Sequence, residues 1–256
     1  MSGSPNEQLA VKQEPGALMP LEQLPLVVYS DLAAFDNYYV HRGNREAVAA
    51  LQCLLSVDAE DKVLFLWGSP GTGVTHLLQG FQQELIQTTR FSSQYLSLQQ
   101  VITLDPRSLF ESLKKLDIIC IDDVHLIQNE PVWQLALFNL FNQFYDQQKK
   151  IVFGSALAPR QLVISLADLQ SRLCSATVFQ LHQMRDEHKV AALKLRANSY
   201  GLILTDEVAN YILSHSARDT KKLFALLQKL DRASLVEQRK LTIPFVKKIL
   251  KDFIDG

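Results

Sequence analysis

The sequence has no apolar stretch long enough to cross a bilayer. Its longest uninterrupted runs, such as 63–67 and 118–121, fall far short of the ~20 residues that a spanning helix needs. The N-terminal region carries Glu7, Glu14 and Glu22 with no long apolar core, which argues against a secretory leader and makes the cytosol the expected address. Cysteine is scarce. Cys53, Cys120 and Cys174 form no CxxC and no Cys/His grouping, a pattern that excludes a disulfide framework and a zinc site. All three are expected to be small core residues in a reducing compartment. An excess of either charge is also missing, since 26 Lys plus Arg face 27 Asp plus Glu. What remains is a globular composition, 47% hydrophobic and 21% charged, unlike a collagen, a coiled coil or a disordered tail. At ~150 residues per domain, 256 residues make one large domain with a small remainder.

The even charge hides an asymmetry. Residues 185–256 hold 14 basic and 9 acidic side chains, net +5, against 12 and 18, net −6, in residues 1–184. Such a split points to two modules; the basic one presents either a nucleic-acid patch or a solvated helical surface. Residues 1–22 contain Pro5, Pro15 and Pro20 with little aliphatic clustering and read as a flexible arm. The apolar segment 23–28 that follows reads either as a docking peptide or as a first strand packed on its own domain.

From Asn44, a candidate N-cap, Ala47, Val48, Leu51, Leu54 and Leu55 recur at helical spacing. Strand patterns at 63–67, 94–98, 117–121, 151–155 and 177–181 alternate with helical ones at 75–86, 106–115, 131–145 and 160–173. Strands alternating with helices need crossover connections, so residues 33–184 are expected to form a three-layer α/β domain on a parallel five-stranded sheet. After Met184 only helical spacing persists, at 186–200, 206–214, 220–238 and 243–254, with Thr205 and Thr242 as candidate caps. Residues 185–256 are therefore expected to form a small all-helical domain.

The chemistry is concentrated in two segments. Gly68-Ser69-Pro70-Gly71-Thr72-Gly73-Val74-Thr75 fits the phosphate-binding pattern GxxxxGK[ST] at each fixed position except the lysine, replaced by Val74. Its glycines let backbone N–H groups turn around phosphate oxygens, and the following helix N-terminus adds partial positive charge. The loss of the ammonium should weaken nucleotide affinity and impair γ-phosphoryl transfer. The second segment is the apolar run 116–121 closed by Asp122 and Asp123, which has the form of a Walker B strand. Asp122 with the Thr75 hydroxyl would hold Mg²⁺ through water, and Asp123 stands where a water-polarising Glu is usual. A strand-end pair capping the next turn is the plainer alternative. His125 reads as loop surface.

Loop, acidic strand, five strands and helical lid together resemble the AAA+ P-loop superfamily. Phe35-Asp36-Asn37-Tyr38-Tyr39-Val40 with Asn44, and Gly73-Val74-Thr75-His76-Leu77-Leu78, are similar to segments of DnaA-type replication initiators. Residues 158–162, 168–173, 230–234 and 239–246 resemble the Hda family of DnaA-related regulators. The resemblance covers about residues 23–254. It implies an arginine finger at Arg172, with a helix-terminal salt bridge as the alternative role. It also implies a lid sensor at Lys221, where an arginine is usual, and a sensor 1 at Ser155. Gln23, Leu24 and Leu26 fall in a segment similar to the family's motif for the DNA polymerase III β sliding clamp, with Val27-Val28 where Pro-Leu is frequent.

Val74, Asp123 and Lys221 each weaken self-catalysis, whereas Arg172 is retained. The resemblance therefore implies a non-hydrolysing negative regulator of replication initiation. Bound to the DNA-loaded clamp, it would promote hydrolysis of DnaA-bound ATP to give inactive DnaA-ADP. It further implies a cytoplasmic, replisome-associated protein with ADP or another nucleotide and Mg²⁺ in its own site, and a possible homodimer. Two other readings stay open: a helicase-loader ATPase that turns over its own nucleotide, and a DNA-binding module using the basic lid. DnaA carries a helix-turn-helix domain beyond its lid, and the chain ends at Gly256, so DNA contact is expected to be indirect.

Overall fold

The computed structural model describes residues 33–216 and 219–254. The expected arm and the 23–28 peptide, with Gln23, Leu24 and Leu26, lie outside the described residues. Helix α1 (Arg45–Leu54) precedes β1 (Val63–Trp67) and α2 (Val74–Thr88). Next come β2 (Ser93–Ser97), α3 (Leu98–Val101), α4 (Pro106–Leu113), β3 (Ile118–Asp122), α5 (Pro131–Asp146) and β4 (Lys150–Ser155). The α/β part closes with α6 (Ala167–Ser175) and β5 (Thr177–Gln180). The strands form one sheet in the order β2-β3-β4-β1-β5, all pairs parallel.

Successive strand residues point to opposite faces, and this alternation builds the layers. Leu64, Leu66, Ile118, Cys120 and Val152 pack with Leu51 of α1 and with Leu77 and Phe81 of α2. Phe65, Ile119, Ile121 and Phe153 pack on the other face with Leu109 of α4, Leu140 of α5 and Leu173 of α6. Both faces are thus covered, as a parallel sheet requires. After β5, helices α7 (Asp186–Ser199), α8 (Asp206–His215), α9 (Thr220–Glu237) and α10 (Ile243–Ile254) bury a third cluster that includes Leu193, Ile212, Leu227 and Val246. Thr205 caps α8 by accepting from Val208 N, and Asp219 caps α9 by accepting from Lys222 N at 2.9 Å. Among the described residues no helix is long and apolar enough to cross a membrane.

Four local expectations are corrected. Asn44 stands at the N-cap of α1 but does not cap it; its side chain accepts from His41 N at 2.8 Å and donates to Tyr39 O at 3.0 Å, pinning the incoming chain. The helix expected over 160–173 is broken into a 3-10 turn at Pro159–Gln161 and α6. Gln134, 1% exposed, takes over the interrupted bonding. Its Oε1 accepts from Ser165 N, Ser165 Oγ and Leu166 N, while its Nε2 donates to Ile127 O and Gln128 O. Cys53 is exposed rather than core, on the face of α1 opposite Leu51 and Leu54. His125 is held rather than loose, its Nδ1 accepting from Ala156 N at 3.3 Å.

Candidate functional site

Three strands deliver the site. The loop after β1, the acids ending β3 and Ser155 ending β4 meet at the carboxyl edge of the sheet, the edge at which open α/β sheets bind ligands. Gly71 and Gly73 adopt φ of 89° and 91°, left-handed values that favour glycine. A Cβ on Gly73 would lie 2.8 Å from Tyr38 Cε2, so the close packing of that ring also requires glycine. Thr72 ties the turn through N and Oγ1, both donating to Ser69 O. The Tyr38 hydroxyl donates to Thr72 O at 3.3 Å, and burial pushes its pKa up to about 12. Helix α2 then starts at Val74, and its first-turn N–H groups have no intrahelical acceptor. Val74 itself is 8% exposed and belongs to the apolar cluster beneath the loop.

Asp122 is 2% exposed. Its carboxylate accepts from Tyr95 Oη and Asp123 N, each at 2.9 Å, and the Thr75 hydroxyl also bonds it. Burial first and the Asp123 charge second raise its pKa, so a cation at this point would relieve a disfavoured charge. Gly154 is needed beneath it, because a side chain there would collide with the Asp122 carboxylate and Leu78. Asp123 holds a left-handed backbone, φ 62°, at the start of a 3-10 turn that its side chain does not cap. Its carboxylate accepts instead from Ser97 Oγ at 2.8 Å. Ser155 is buried, its Oγ accepting from Leu157 N at 3.0 Å.

The lid closes the other side. Met184, Arg196, Thr220, Lys221 and Phe224 join residues 68–76, Asp122, Asp123 and Ser155 around one cavity of about 520 Å³, within the usual range for a small-molecule site. Arg196 reaches from α7 across the junction, its Nη1 donating to Asn37 Oδ1 at 2.7 Å and lying 3.2 Å from His76 Nδ1. His76 stacks on Tyr38 with centroids 5.6 Å apart. Burial, and then the Arg196 charge, push its pKa down to about 3.

The structure thus brings Gly68, Pro70, Gly71, Thr72, Gly73, Val74, Thr75, Asp122, Asp123, Ser155 and Lys221 around one cavity. Arg172 is not among the lining residues. It sits in the last turn of α6, with its guanidinium carbon 5.2 Å from the Tyr145 ring centroid and 5.8 Å from that of Phe141. Among the described residues no acid pairs with it. Sequence reasoning missed Tyr38, Tyr95, Ser97, His76 and Arg196 as parts of the site. Tyr38 and His76 lie in the segments similar to DnaA-type initiators, and Arg196 falls at helical spacing with Ala192 and Leu193, on the buried stripe of α7; Tyr95 and Ser97 left no such trace.

A phosphate-type loop after β1, paired acids after β3 and a helical lid over one cavity define a P-loop AAA+ module. The chain belongs to the DnaA-related AAA+ family: the model of the bacterial DnaA ATPase domain matches residues 30–182 and that of the Hda lid domain residues 186–250. An uncharacterised Haemophilus influenzae protein is 37% identical over 240 residues, covering 90% of this chain and 98% of its own. Domain III of the Thermotoga maritima replication initiation protein DnaA superposes with a TM-score of 0.75 at 25% identity, covering 88% of this chain and 98% of that one. AMPPCP-bound DnaA from Aquifex aeolicus shares the fold at 24% identity, with a TM-score of 0.64 over 76% of this chain and 64% of that chain.

Proposed function

We propose that this protein is a regulator of replication initiation that, bound to the DNA-loaded sliding clamp, promotes hydrolysis of ATP held by DnaA. The observation that carries this reading is the placement of Val74 inside the cavity and of Arg172 outside it. The chain's own cavity has an apolar Val74 where the phosphate-neutralising lysine would stand, while Arg172 lies outside that cavity with no acidic partner among the described residues. A guanidinium is permanently charged and carries five N–H donors, which suits it to stabilise charge on a phosphoryl group supplied by a neighbour.

The residues of the cavity fit a nucleotide of this chain's own, as in the AMPPCP-bound DnaA relative. Backbone N–H groups at 73–76 would hold the phosphates, Thr75 and Asp122 a Mg²⁺ ion, and Lys221 the lid side. When bound, the metal ion supplies charge neutralisation between phosphate oxygens. Asp123, turned to Ser97, is poorly placed to orient a water, which supports a site that binds more than it turns over.

The decisive experiment measures turnover of DnaA-bound ATP with clamp on DNA. Arg172→Ala is expected to lower it by a factor of about 10³ or more, while steady-state ATPase of the pure chain stays negligible. Equal rates for wild type and Arg172→Ala would sink the proposal. Strong ATPase of the chain alone, abolished by Asp122→Ala, would replace it with the helicase-loader reading.

A further inference from the structure

Arg172 does not stand alone on its helix. It rests on the outer end of an aromatic column that begins in the sheet. Phe65 of β1 and Phe153 of β4 lie 5.9 Å apart, and Phe153 stacks with Phe141 of α5 at 6.3 Å and an interplanar angle of 2°. Phe141 in turn stacks with Tyr145, one turn further along α5, at 6.4 Å and 16°. The guanidinium of Arg172 caps the last two rings. Phe141 is 1% exposed and Tyr145 50% exposed, so the column runs from dry core to solvent and ends in a cation.

From this geometry we infer that Tyr145 is a positioning residue for Arg172, holding the guanidinium over an aromatic ring rather than against an acid, so that its N–H donors stay open to an anion. The inference rests on the finger role proposed above. An acid in the same place would orient the side chain as well, but it would occupy the edge donors and cancel the charge that a phosphate has to meet. An aromatic face does neither, because the ring quadrupole attracts the cation without accepting its N–H groups in line. It also restricts a long side chain that would otherwise lose rotamer freedom only on meeting its target. Phe141, fixed by Phe153, keeps Tyr145 in place. Among the described residues the tyrosine hydroxyl forms no hydrogen bond, and it is not needed for this role; the ring face is. 

The test compares Tyr145→Phe with Tyr145→Leu, both at a half-exposed position where either side chain is accommodated. In the DnaA-bound ATP assay, Tyr145→Phe is expected within about twofold of wild type. Tyr145→Leu should be about three- to thirtyfold slower at saturating protein, the range a cation–π contact spans, with half-saturation unchanged. In an Arg172→Ala background, Tyr145→Leu should add nothing. Independently of activity, the Arg172 Nε–Hε NMR resonance should carry a ring-current shift in wild type and Tyr145→Phe that collapses in Tyr145→Leu. If Tyr145→Leu is as active as wild type where Arg172→Ala is dead, the positioning role falls and the proposed function stands. If Arg172→Ala is itself fully active, the proposed function falls and Tyr145 loses its role with it. A resonance unmoved by Tyr145→Leu also overturns the platform.

Discussion

A single side chain separates this phosphate loop from the lysine-bearing pattern. Val74 is the first residue of α2 and is sealed into the cluster shared by α1, α2 and the sheet. The glycine geometry around it is intact, so the loop has lost a charge and kept its cradle. Val74→Lys should therefore restore the missing contact without refolding the loop. A lysine stem can cover apolar surface while its ammonium reaches the cavity, and a charged hydrogen bond contributes about 1.5–3 kcal/mol. Titration with a non-hydrolysable triphosphate should show at least about tenfold tighter binding for the variant, with diphosphate affected less. Identical affinities would mean that the ammonium cannot leave the apolar cluster.

Among the elements, α5 does more than fill a layer. Its first turns carry Gln134, which supplies hydrogen bonds to the 162–166 segment that precedes α6, and its last turn carries Tyr145. Gln134→Leu would leave the part-buried Gln128 O and Leu166 N without partners, at about 1–3 kcal/mol each, while Ile127 O keeps Glu130 N. The expected loss is about 2 kcal/mol or more in denaturant unfolding, together with faster amide exchange in α6; a loss under about 0.5 kcal/mol would refute the bracing role. Gln134 also shows where sequence reasoning stops. The strands were readable because runs such as 63–67 and 118–121 are apolar on both faces, and the loop because its glycine spacing is tied to phosphate geometry. The break before α6 was not, because its hydrogen bonds come from a helix some 30 residues earlier. Tyr95 and Ser97 were likewise invisible: they meet Asp122 and Asp123 only through the β2–β3 register. Asn44 had the right residue type for a cap, but the chain before it offered better partners.

At the scale of the molecule, base and lid meet through Arg196, Asn37 and His76. The pKa of His76 in the folded state, about 3, lies below its ordinary 6.5, so between those values the unfolded chain binds more protons. Stability is therefore present above about pH 6.5 and is lost as pH falls through that window, by up to roughly 1.4 kcal/mol per pH unit for each such histidine. His41, lowered mainly by burial and then by His188 and His182, acts in the same direction. Unfolding free energy measured from pH 7 to pH 5 should fall more steeply for wild type than for His76→Gln; parallel profiles would rule out His76 as the source. The same junction has a consequence for ligand binding. Arg196 fastens the lid to His76, next to Thr75 in the first turn that follows the phosphate loop. A displacement of that turn on binding phosphate would reach α7 through these contacts, and a grip on the lid from outside would reach the turn. By thermodynamic reciprocity, a partner that prefers one lid setting must change the affinity for nucleotide by the same factor that nucleotide changes the affinity for the partner. Under the proposed function, such a coupling would let the nucleotide site report cellular nucleotide to the surface that meets another protein.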